Sequence, residues 1–347
     1  MGRDYSPARF RGKVRVLKNR FHNIQLHTSV LPLAQAAALK ASLRENRIPG
    51  AFFYLGPDAA VLWSRLHNAH APSQNEDSSR SLYAAKLSSK TRAESPERLH
   101  LISLGCGMAE KEARLVGANR GRWSRATAID AGIELVACAA DRIQRLDEFE
   151  QVDAKAVDLG LVEDWSTLVA DGGRIPRLIT AFGMIPNCDP ELFLNQLLTL
   201  VRPGDYLLID ANLIPDSLAS GDKIPDSIMV QYDNRECAEW LMAGLTQLGL
   251  TSADGDLQFD QDRVADANPR SRIVVDFLFG RSVKLEVADV QCLYQAGDRL
   301  RVFYSNRFRR TDIPGYLQNL GCSLLFEEIS LTGEDGLYLF RRDRVDR

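Results

Sequence analysis

The amino-acid sequence predicts an α/β protein with a doubly wound, mostly parallel sheet and a second, smaller α+β domain. Between residues 98 and 212, short apolar runs alternate with segments of helical periodicity, as they do where helices cover both faces of a parallel sheet. Residues before 72 follow a helical repeat of strong helix formers, and residues 272–340 contain several short β-type runs. The smaller domain is therefore expected to draw on both ends of the chain.

The composition excludes several classes of protein. The chain has 347 residues, 45% hydrophobic and 26% charged, with a net charge of −3, which is typical of a soluble globular protein without a polyanionic partner. No apolar run approaches the ~20 residues of a membrane span. The basic N-terminus lacks the apolar stretch of a secretory signal. We therefore expect a cytoplasmic protein with no membrane or nucleic-acid partner.

The cysteines and histidines do not have the spacing of metal ligands. The six cysteines lie far apart and form no C-x-x-C pair, and the five histidines form no H-x-x-x-H pair. A chain of this length also does not depend on a disulfide framework for its core. The sequence therefore predicts reduced thiols and no metal site.

The N-terminal segment is predicted to be helical and to end in a polar linker. The stretch "LPLAQAAALKASLREN" is predicted to be a helix, and "AFFYLGPDAAVLWSRLHNA" a turn followed by a second helix. Residues 72–97 are polar and serine-rich, which is typical of a linker or surface loop. We assign residues 1–71 to the smaller domain and residues 72–97 to the linker.

Residues 98–212 are predicted to form the core domain. The predicted strands are "RLHLISLG", "ATAID", "VDAKAVDLG", "PRLITAFGMI" and "DYLLIDANL", and the helices are "AEKEARLVGAN", "AGIELVACAADRIQRL" and "PELFLNQLLTLV". After residue 212 this alternation stops. Residues 213–347 are therefore predicted to contribute an insertion with one or two helices and a β-rich, partly antiparallel section of the smaller domain.

The stretch "LISLGCGMAEKEARLV", residues 101–116, is predicted to be a strand, a tight glycine turn and the start of a helix. Gly105 and Gly107 let the backbone turn sharply and let a ligand approach closely. A dinucleotide fingerprint needs a third small residue at the position of Glu110. A bound pyrophosphate is therefore disfavoured, and a tight turn that holds no ligand remains an alternative.

Two carboxylates follow the next strands of the predicted sheet. Asp130 ends the second strand, where a carboxylate can accept both ribose hydroxyls of a nucleoside. Asp158 lies near the end of the third strand, where it can meet an adenine amino group. Ligands of open α/β sheets bind outside the carboxyl ends of the strands. The set favours a nucleoside cofactor without phosphates, namely S-adenosylmethionine (SAM).

The ordered string "LGCG…AID…VDLG…ITAFGMIPN" resembles the class I SAM-dependent methyltransferases, and this resemblance implies a Rossmann-like core. Ser103 occupies a place where such proteins often carry an acidic residue before the glycines. More of the chain, roughly residues 45–340, resembles a narrower family, the histidine-specific N-methyltransferases of ergothioneine biosynthesis. The segments that carry this resemblance are, in order, "IPGAFFYLGPDAAVLWSRL", "LGCGMAEKEARL", "AFGMIPNCDP", "IPDSIMVQYDN" and "RVFYSNRFRR".

The resemblance implies a SAM-binding core and a substrate domain, with the α-amino group of the substrate held between them. Carried over position by position, it implies a cofactor site with Gly105, Gly107, Asp130, Asp158 and Phe182. It likewise implies a substrate site with Tyr54, Asn187, Tyr232 and Ser305. Methyl transfer needs an aligned nucleophile more than a strong protein base. The candidate catalytic residues are therefore Asn187 and Tyr232, which we expect to orient the acceptor.

Two departures from the family pattern change the expected substrate. The family places a glutamate two residues before the serine, where this chain has Phe303, and its Tyr-Tyr pair is missing from "NAHAPSQNED". A phenylalanine at that place removes a charge-assisted contact and adds apolar surface. We therefore expect Phe303 in the site of a small amine other than histidine, such as a modified or aromatic amino acid.

Three other functions remain open at the level of the sequence. An NAD-linked oxidoreductase would use a similar sheet, and a protein with the SAM-binding fold could bind ligand without catalysis. A macromolecular methyltransferase could use residues 72–97 and the basic cluster "NRFRR" to contact a polymer. The sequence does not determine the oligomeric state, for which a monomer is the simplest expectation.

Overall fold

The computed structural model contains a mixed eight-stranded sheet. It describes residues 23–56, 58–85, 87, 98–170, 175–216, 218, 223–264, 270–287 and 290–343. The strands of this central sheet, in spatial order, are β1 (Ile24–Leu26), β4 (Gln151–Ala156), β3 (Trp123–Asp130), β2 (Leu99–Leu104), β5 (Arg177–Ala181), β6 (Tyr206–Asn212), β13 (Asp335–Arg342) and β12 (Cys322–Ile329). The first six in this order are parallel, and β13 and β12 pair antiparallel at one edge.

The helices alternate with the strands through the middle of the chain. They are α1 (Pro32–Leu43), α2 (Ala59–His70), α3 (Pro72–Asn75), α4 (Asp77–Leu82), α5 (Glu110–Ala118), α6 (Ile133–Gln144), α7 (Pro190–Leu200), α8 (Asp226–Met229), α9 (Arg235–Gln247) and α10 (Asp312–Asn319). In the described part of the chain, none of them has the length and apolarity that a membrane span requires.

The central sheet is covered by apolar helix faces on both sides. Every residue of β2 is buried between β3 and β5, and four of its six residues are apolar, the others being His100 and Ser103. Val116 of α5 and Val136 of α6 belong to one buried cluster, and Leu194 of α7 and Leu317 of α10 belong to another. The predicted fold class, a doubly wound and mostly parallel sheet with an additional domain, is confirmed.

A second, smaller sheet is antiparallel and has its own core. Its strands are β7 (Gly255–Val264), β8 (Arg270–Phe279) and β11 (Arg299–Arg307), in the order β11-β8-β7, and β9 (Val283–Val287) pairs with β10 (Val290–Tyr294). The core of this unit joins the N-terminal helices to the later strands, because Leu43, Phe53, Trp240 and Phe277 lie in one buried cluster. The short 3₁₀ segment Gly50–Tyr54 connects α1 to α2 within it.

The central sheet also includes segments that the sequence analysis placed outside residues 98–212. β1 pairs in parallel with β4, and β13 pairs antiparallel with β6 along seven residue pairs. The last hairpin is therefore part of the central sheet, and not of the smaller one. Within the expected linker, α3 and α4 are followed by Tyr83, which is buried against the core. Residues 88–97 lie outside the described part of the chain.

Candidate active site

The glycine turn lies between β2 and α5 and has a backbone that only glycine adopts easily. Gly105 has φ +59° and Gly107 has φ +50°. A Cβ on Gly105 would stand 2.1 Å from Sδ of Met184, and one on Gly107 would stand 3.0 Å from Cη2 of Trp63. Both glycines are therefore favoured by the left-handed conformation, and Gly105 also by the close approach of Met184. Met184 and Trp63, which the sequence analysis did not select, lie directly against the turn.

Asp130 holds the glycine turn from the end of the neighbouring strand β3. The Gly107 N–H donates to Oδ2 of Asp130 at 2.9 Å, and the Gly132 N–H donates to Oδ1 at 3.1 Å. Burial raises the pKa of this carboxyl, and the backbone hydrogen bonds oppose that shift. The predicted ribose-binding carboxylate thus lies at the turn, as expected for adjacent parallel strands whose carboxyl ends share one sheet edge.

Asp158 follows β4, one strand further from the turn. Gln35 Nε2 donates to Oδ2 of Asp158 at 2.8 Å, and the Gly160 N–H donates to Oδ1 at 3.1 Å. The Asp158 N–H donates to Oγ of Ser29 at 3.0 Å. Burial raises the pKa of the Asp158 carboxyl. The N-terminal segment around α1 therefore reaches the sheet edge at this carboxylate.

Phe182 lies immediately after β5, inside the core. Its side chain is 6% exposed and belongs to the buried cluster that contains Leu208. Its ring packs edge-on against Tyr83, with the ring centroids 5.2 Å apart. The contacts of Phe182 are thus those of a core residue below the sheet edge, and its predicted role at the cofactor remains a prediction.

Tyr232, Ser305 and Asn212 form a small polar network. The Tyr232 hydroxyl and the Ser305 hydroxyl are 3.1 Å apart. Asn212 Nδ2 donates to both oxygens, at 3.2 Å to Tyr232 and 3.3 Å to Ser305. Asn212 is the last residue of β6, so the network connects the carboxyl edge of the central sheet to the smaller sheet. It brings together two predicted substrate residues and adds Asn212, which the sequence analysis missed.

A series of aromatic rings extends from this network toward the N-terminal segment. The ring centroids are 6.2 Å apart between Tyr232 and Phe303, 6.0 Å between Phe303 and Trp240, and 5.3 Å between Trp240 and Tyr54. We call these four residues the aromatic row. Phe303 and Ser305 are two positions apart on β11 and so face the same side of that strand. Trp240, in the middle of the row, was not predicted.

Tyr54 connects the aromatic row to the carboxyl edge of the central sheet. Its carbonyl oxygen is 2.9 Å from the position that a Cβ on Gly132 would occupy, two residues after Asp130. Burial raises the pKa of the Tyr54 hydroxyl well above its usual range, and the negative charge of Asp130 raises it further. The ring also packs against Trp63, with the centroids 6.3 Å apart. Residues from both predicted sites therefore meet at Tyr54.

Asn187 ends the 3₁₀ segment Ile185–Asn187, after β5. Its side chain is half-buried, and Nδ2 donates to the Gly183 carbonyl at 3.1 Å. The neighbouring Cys188 carbonyl accepts a hydrogen bond from Asn306 Nδ2 at 2.9 Å, so this loop contacts β11. The structure thus brings Asn187 to the strand that carries Phe303 and Ser305, as a site between the two sheets requires.

A buried ion pair fastens the start of α5 to the end of β6. Lys111 Nζ is 2.8 Å from Oδ2 of Asp210, and the Tyr83 hydroxyl donates to the same oxygen at 2.6 Å. The Gly183 N–H donates to Oδ1 of Asp210 at 2.6 Å. The charged start of α5 in "AEKE" was the only signal of this cluster in the sequence, and it does not identify the partner.

The residues at the sheet edge fit a nucleoside cofactor. The left-handed turn carries no side chain at Gly105 or Gly107, so its backbone N–H and C=O groups can approach a ligand closely, while Met184 and Trp63 pack against it. The Asp130 carboxylate beside it has the chemistry to accept ribose hydroxyls. In the described residues, no group of three or more His, Cys, Asp or Glu side chains could hold a metal ion.

Comparison with known proteins places these features in context. No protein-family profile matches the sequence. The chain is similar to the histidine N-alpha-methyltransferase of Mycobacterium tuberculosis (strain CDC 1551 / Oshkosh), at 28% identity over 270 residues, which are 74% of this chain and 78% of that protein. The motifs that predicted this resemblance are thus supported by an alignment along most of both chains.

Two solved structures are similar to the chain at low identity. One is a SAM-dependent methyltransferase from Clostridium acetobutylicum, with a TM-score of 0.42 and 10% identity over 81% of this chain and 98% of that chain. The other is an O-methyltransferase family protein from Burkholderia thailandensis, with a TM-score of 0.46 and 13% identity over 90% of this chain and 70% of that chain.

The central sheet, with its glycine turn and its carboxylate at adjacent strand ends, fits a Rossmann-like methyltransferase fold with an additional domain. The sequence relative is a methyltransferase of the family that the motifs indicated. Together they identify the chain as a class I SAM-dependent methyltransferase that resembles the histidine N-alpha-methyltransferases.

Proposed function

We propose that the protein methylates the nitrogen of a small amine, an amino acid or an amino-acid-derived metabolite, and that this acceptor is not histidine. The histidine N-alpha-methyltransferase that the chain resembles supports nitrogen as the acceptor atom. The observation that carries the proposal is the junction at Tyr54. There, the carbonyl of Tyr54, a member of the aromatic row, lies against Gly132, beside the carboxylate of Asp130.

The core domain supplies the groups that would hold SAM. The backbone at Gly105 and Gly107 would lie against the cofactor, and the Asp130 carboxylate would accept its ribose hydroxyls. Asp158, which is held by Gln35 and Gly160, would meet the adenine. When bound, SAM supplies an electrophilic methyl carbon on its sulfonium.

The smaller domain and the loop after β5 would hold the acceptor amine. As the nitrogen–carbon bond forms, the sulfur–carbon bond breaks and its electron pair stays on sulfur, so the amine must present a free lone pair. Asn187 and Tyr232 can orient the amino-acid group through amide and hydroxyl hydrogen bonds. Alignment of this kind can lower a barrier by about 7–11 kcal/mol. An ammonium would therefore have to lose a proton to solvent before it attacks, since only the neutral amine has the lone pair.

The aromatic row argues against histidine as the acceptor. Phe303 contacts the rings of Tyr232 and Trp240, and it is half-buried at the place where the related family has a glutamate. A phenylalanine offers no acceptor for an imidazole N–H, and leaving that polar group without a partner costs free energy. Flat apolar groups instead gain from offset or edge-on contact with aromatic rings. An amino acid with an aromatic side chain, or a derivative of one, fits this lining best.

The test has two stages, the first of which addresses the cofactor. Calorimetry with SAM, S-adenosylhomocysteine and NADH is expected to show binding of the two adenosyl compounds only. Absence of binding by SAM, or binding of NADH instead, would contradict the proposal and favour an oxidoreductase.

The second stage identifies the acceptor. The protein is incubated with methyl-labelled SAM and separate acceptors: histidine, phenylalanine, tyrosine, tryptophan, an RNA mixture and a protein extract. We expect label in an aromatic amino acid or a derivative of one, and little in histidine. Label in RNA or protein alone would identify a macromolecular methyltransferase, and SAM binding without any transfer would identify a binding protein without catalysis.

A further inference from the structure

Glu112 places a carboxylate deep inside the core domain, in the first turn of α5. Glu112 is only 2% exposed. The Ser103 hydroxyl donates to Oε1 of Glu112 at 2.7 Å, and the Thr180 hydroxyl donates to the same oxygen at 3.3 Å. Ser103 and Thr180 are themselves fully buried. Burying a carboxylate costs free energy unless it is hydrogen-bonded, and the Ser103 and Thr180 hydroxyls supply those hydrogen bonds.

The three residues surround the base of the glycine turn. Ser103 lies two residues before Gly105 in β2, and it pairs in register with Thr180 of β5. Glu112 comes from the helix that leaves the turn. The Cys106 thiol, inside the turn, has a raised pKa because it is buried, and the charges of Asp130 and Glu112 raise it further. Both carboxylates therefore lie close to the turn.

The sequence differs at Ser103 from the pattern it resembles. At this place, where the class I methyltransferases that the chain resembles often carry an acidic residue, this chain has a hydroxyl. In the structure, a carboxylate from α5, that of Glu112, lies beside the Ser103 hydroxyl of β2 instead. The hydroxyls of Ser103 and Thr180 then act as its donors.

We propose that Glu112 is a positioning residue that takes the place of the missing strand carboxylate and fixes the glycine turn for SAM. This inference rests on the proposed function, because it presumes that the turn binds SAM. Through its contacts with β2 and β5, Glu112 fixes the first turn of α5. Lys111, the preceding residue, fixes the same helical turn of α5 to Asp210. The backbone that would face the cofactor is thus held on several sides.

The experiment compares SAM affinity by calorimetry in four proteins: wild type, Glu112→Ala, the exchange Ser103→Asp/Glu112→Ser, and Glu134→Ala. Glu134 is a matched control, because it is an exposed acidic residue in the first turn of α6. We expect Glu112→Ala to bind SAM about tenfold more weakly, since two buried hydroxyls lose their acceptor. The SAM affinity of the exchange variant should recover to within about threefold of wild type, and the SAM affinity of Glu134→Ala should equal that of wild type.

Recovery in the exchange variant is the readout that a general packing role would not produce. The inference is overturned if Glu112→Ala binds SAM as tightly as wild type, or if the exchange variant binds no better than Glu112→Ala. Melting temperatures are measured in parallel, and Glu112→Gln replaces Glu112→Ala if the latter does not fold. Failure of the wild type to bind SAM would instead refute the proposed function, so the two failures are distinguishable.

Discussion

The two halves of the proposed site, one for the cofactor and one for the acceptor, are held together in different ways. In the cofactor half, the carboxylates of Asp130 and Asp158 each accept a hydrogen bond from the backbone N–H two residues later in the chain. In the acceptor half, Tyr232, Ser305 and Phe303 are held by side chains that come from distant segments. The cofactor half therefore depends on local backbone hydrogen bonds, with Gln35 and Ser29 added at Asp158 from a distant segment, and the acceptor half depends on the packing of side chains.

This difference suggests which half tolerates change. A carboxylate that accepts backbone N–H groups positions the main chain, so its loss alters the turn as well as the ligand contact. A ring in the aromatic row mainly contributes shape and surface, so its replacement alters which acceptor fits. Substitutions in the first half should reduce SAM binding, whereas those in the second should leave SAM binding intact and change turnover or selectivity.

Asp130→Ala should have the largest effect. It removes the acceptor for the N–H groups of Gly107 and Gly132 and the predicted contact with the ribose. We expect SAM affinity to fall by about a hundredfold or more, since charge-assisted hydrogen bonds are the stronger class. Calorimetry measures this, with Asp141→Ala as the control, because Asp141 is an aspartate paired with Arg145 on the surface of α6. Unchanged affinity in Asp130→Ala would refute the assigned cofactor site.

Asn187→Ala tests the acceptor half. We expect the turnover rate to fall by about a hundredfold, because the acceptor loses alignment, while SAM affinity stays within about twofold of wild type. Single-turnover kinetics and calorimetry measure the two quantities separately. Asn68→Ala, at an exposed position of α2, is the matched control and should behave as wild type. An equal loss of SAM affinity and turnover would place Asn187 in the cofactor half instead.

Phe303→Glu tests the assignment of selectivity to the aromatic row. A carboxylate beside Tyr232 and Trp240 should lower kcat/KM for an aromatic acceptor by about tenfold, since it replaces apolar contact with a charge. It should also raise the relative rate with histidine, whose ring it can hydrogen-bond. Phe303→Leu serves as the apolar control and should retain more of the activity. If the ratio of kcat/KM for the aromatic acceptor to kcat/KM for histidine does not change in Phe303→Glu, Phe303 does not contact the acceptor.

His67 provides the smallest effect, on stability. Its ring stacks on Trp63 with the centroids 4.8 Å apart, and burial, together with Lys111 and Arg114, lowers its pKa from 6.5 to about 3. The Glu110 carboxylate, 4.0 Å away, favours protonation but does not offset burial. The unfolded chain therefore binds a proton as the pH falls through 6.5, and the folded chain does so only near 3.

The stability that neutral His67 contributes is present above its unfolded pKa and is lost as the pH falls. Relative to His67→Gln, the wild type should lose about 1 kcal/mol of unfolding free energy between pH 7 and pH 5.5. Urea unfolding at both pH values measures this difference. If the unfolding free energies of the two proteins change equally between pH 7 and pH 5.5, His67 is not buried as the structure has it. The stack of His67 on Trp63 would then not hold Trp63 against the glycine turn.

Much of the cofactor half could be predicted because its signals are local. The alternation of strands and helices predicts parallel strands whose carboxyl ends share an edge, and so places Gly107 and Asp130 at the same edge of the sheet. The contacts of Trp63 and Met184 with the turn could not be predicted, because they join segments far apart in the chain. Trp240 is an apolar residue on an amphipathic helix, and nothing in its own segment distinguishes it from any other core residue.

The smaller domain shows the same limit. Short β-type runs after residue 270 predicted strands but not their sheet, because pairing depends on which edges are free. β13 joins β6 of the central sheet, whereas β11 pairs with β8 of the smaller one. The polar contacts of Asn212 with Tyr232 and Ser305 exist only because both sheets are in place.

The sequence by itself determined the parallel core, the glycine turn and the carboxylate that ends the next strand, since periodicity and glycine conformation are local properties. Only the tertiary structure decided which rings form the aromatic row, where the last hairpin pairs, and that Glu112 reaches the base of the turn. These are long-range contacts, and their free energy depends on side chains that become neighbours only when the chain has folded.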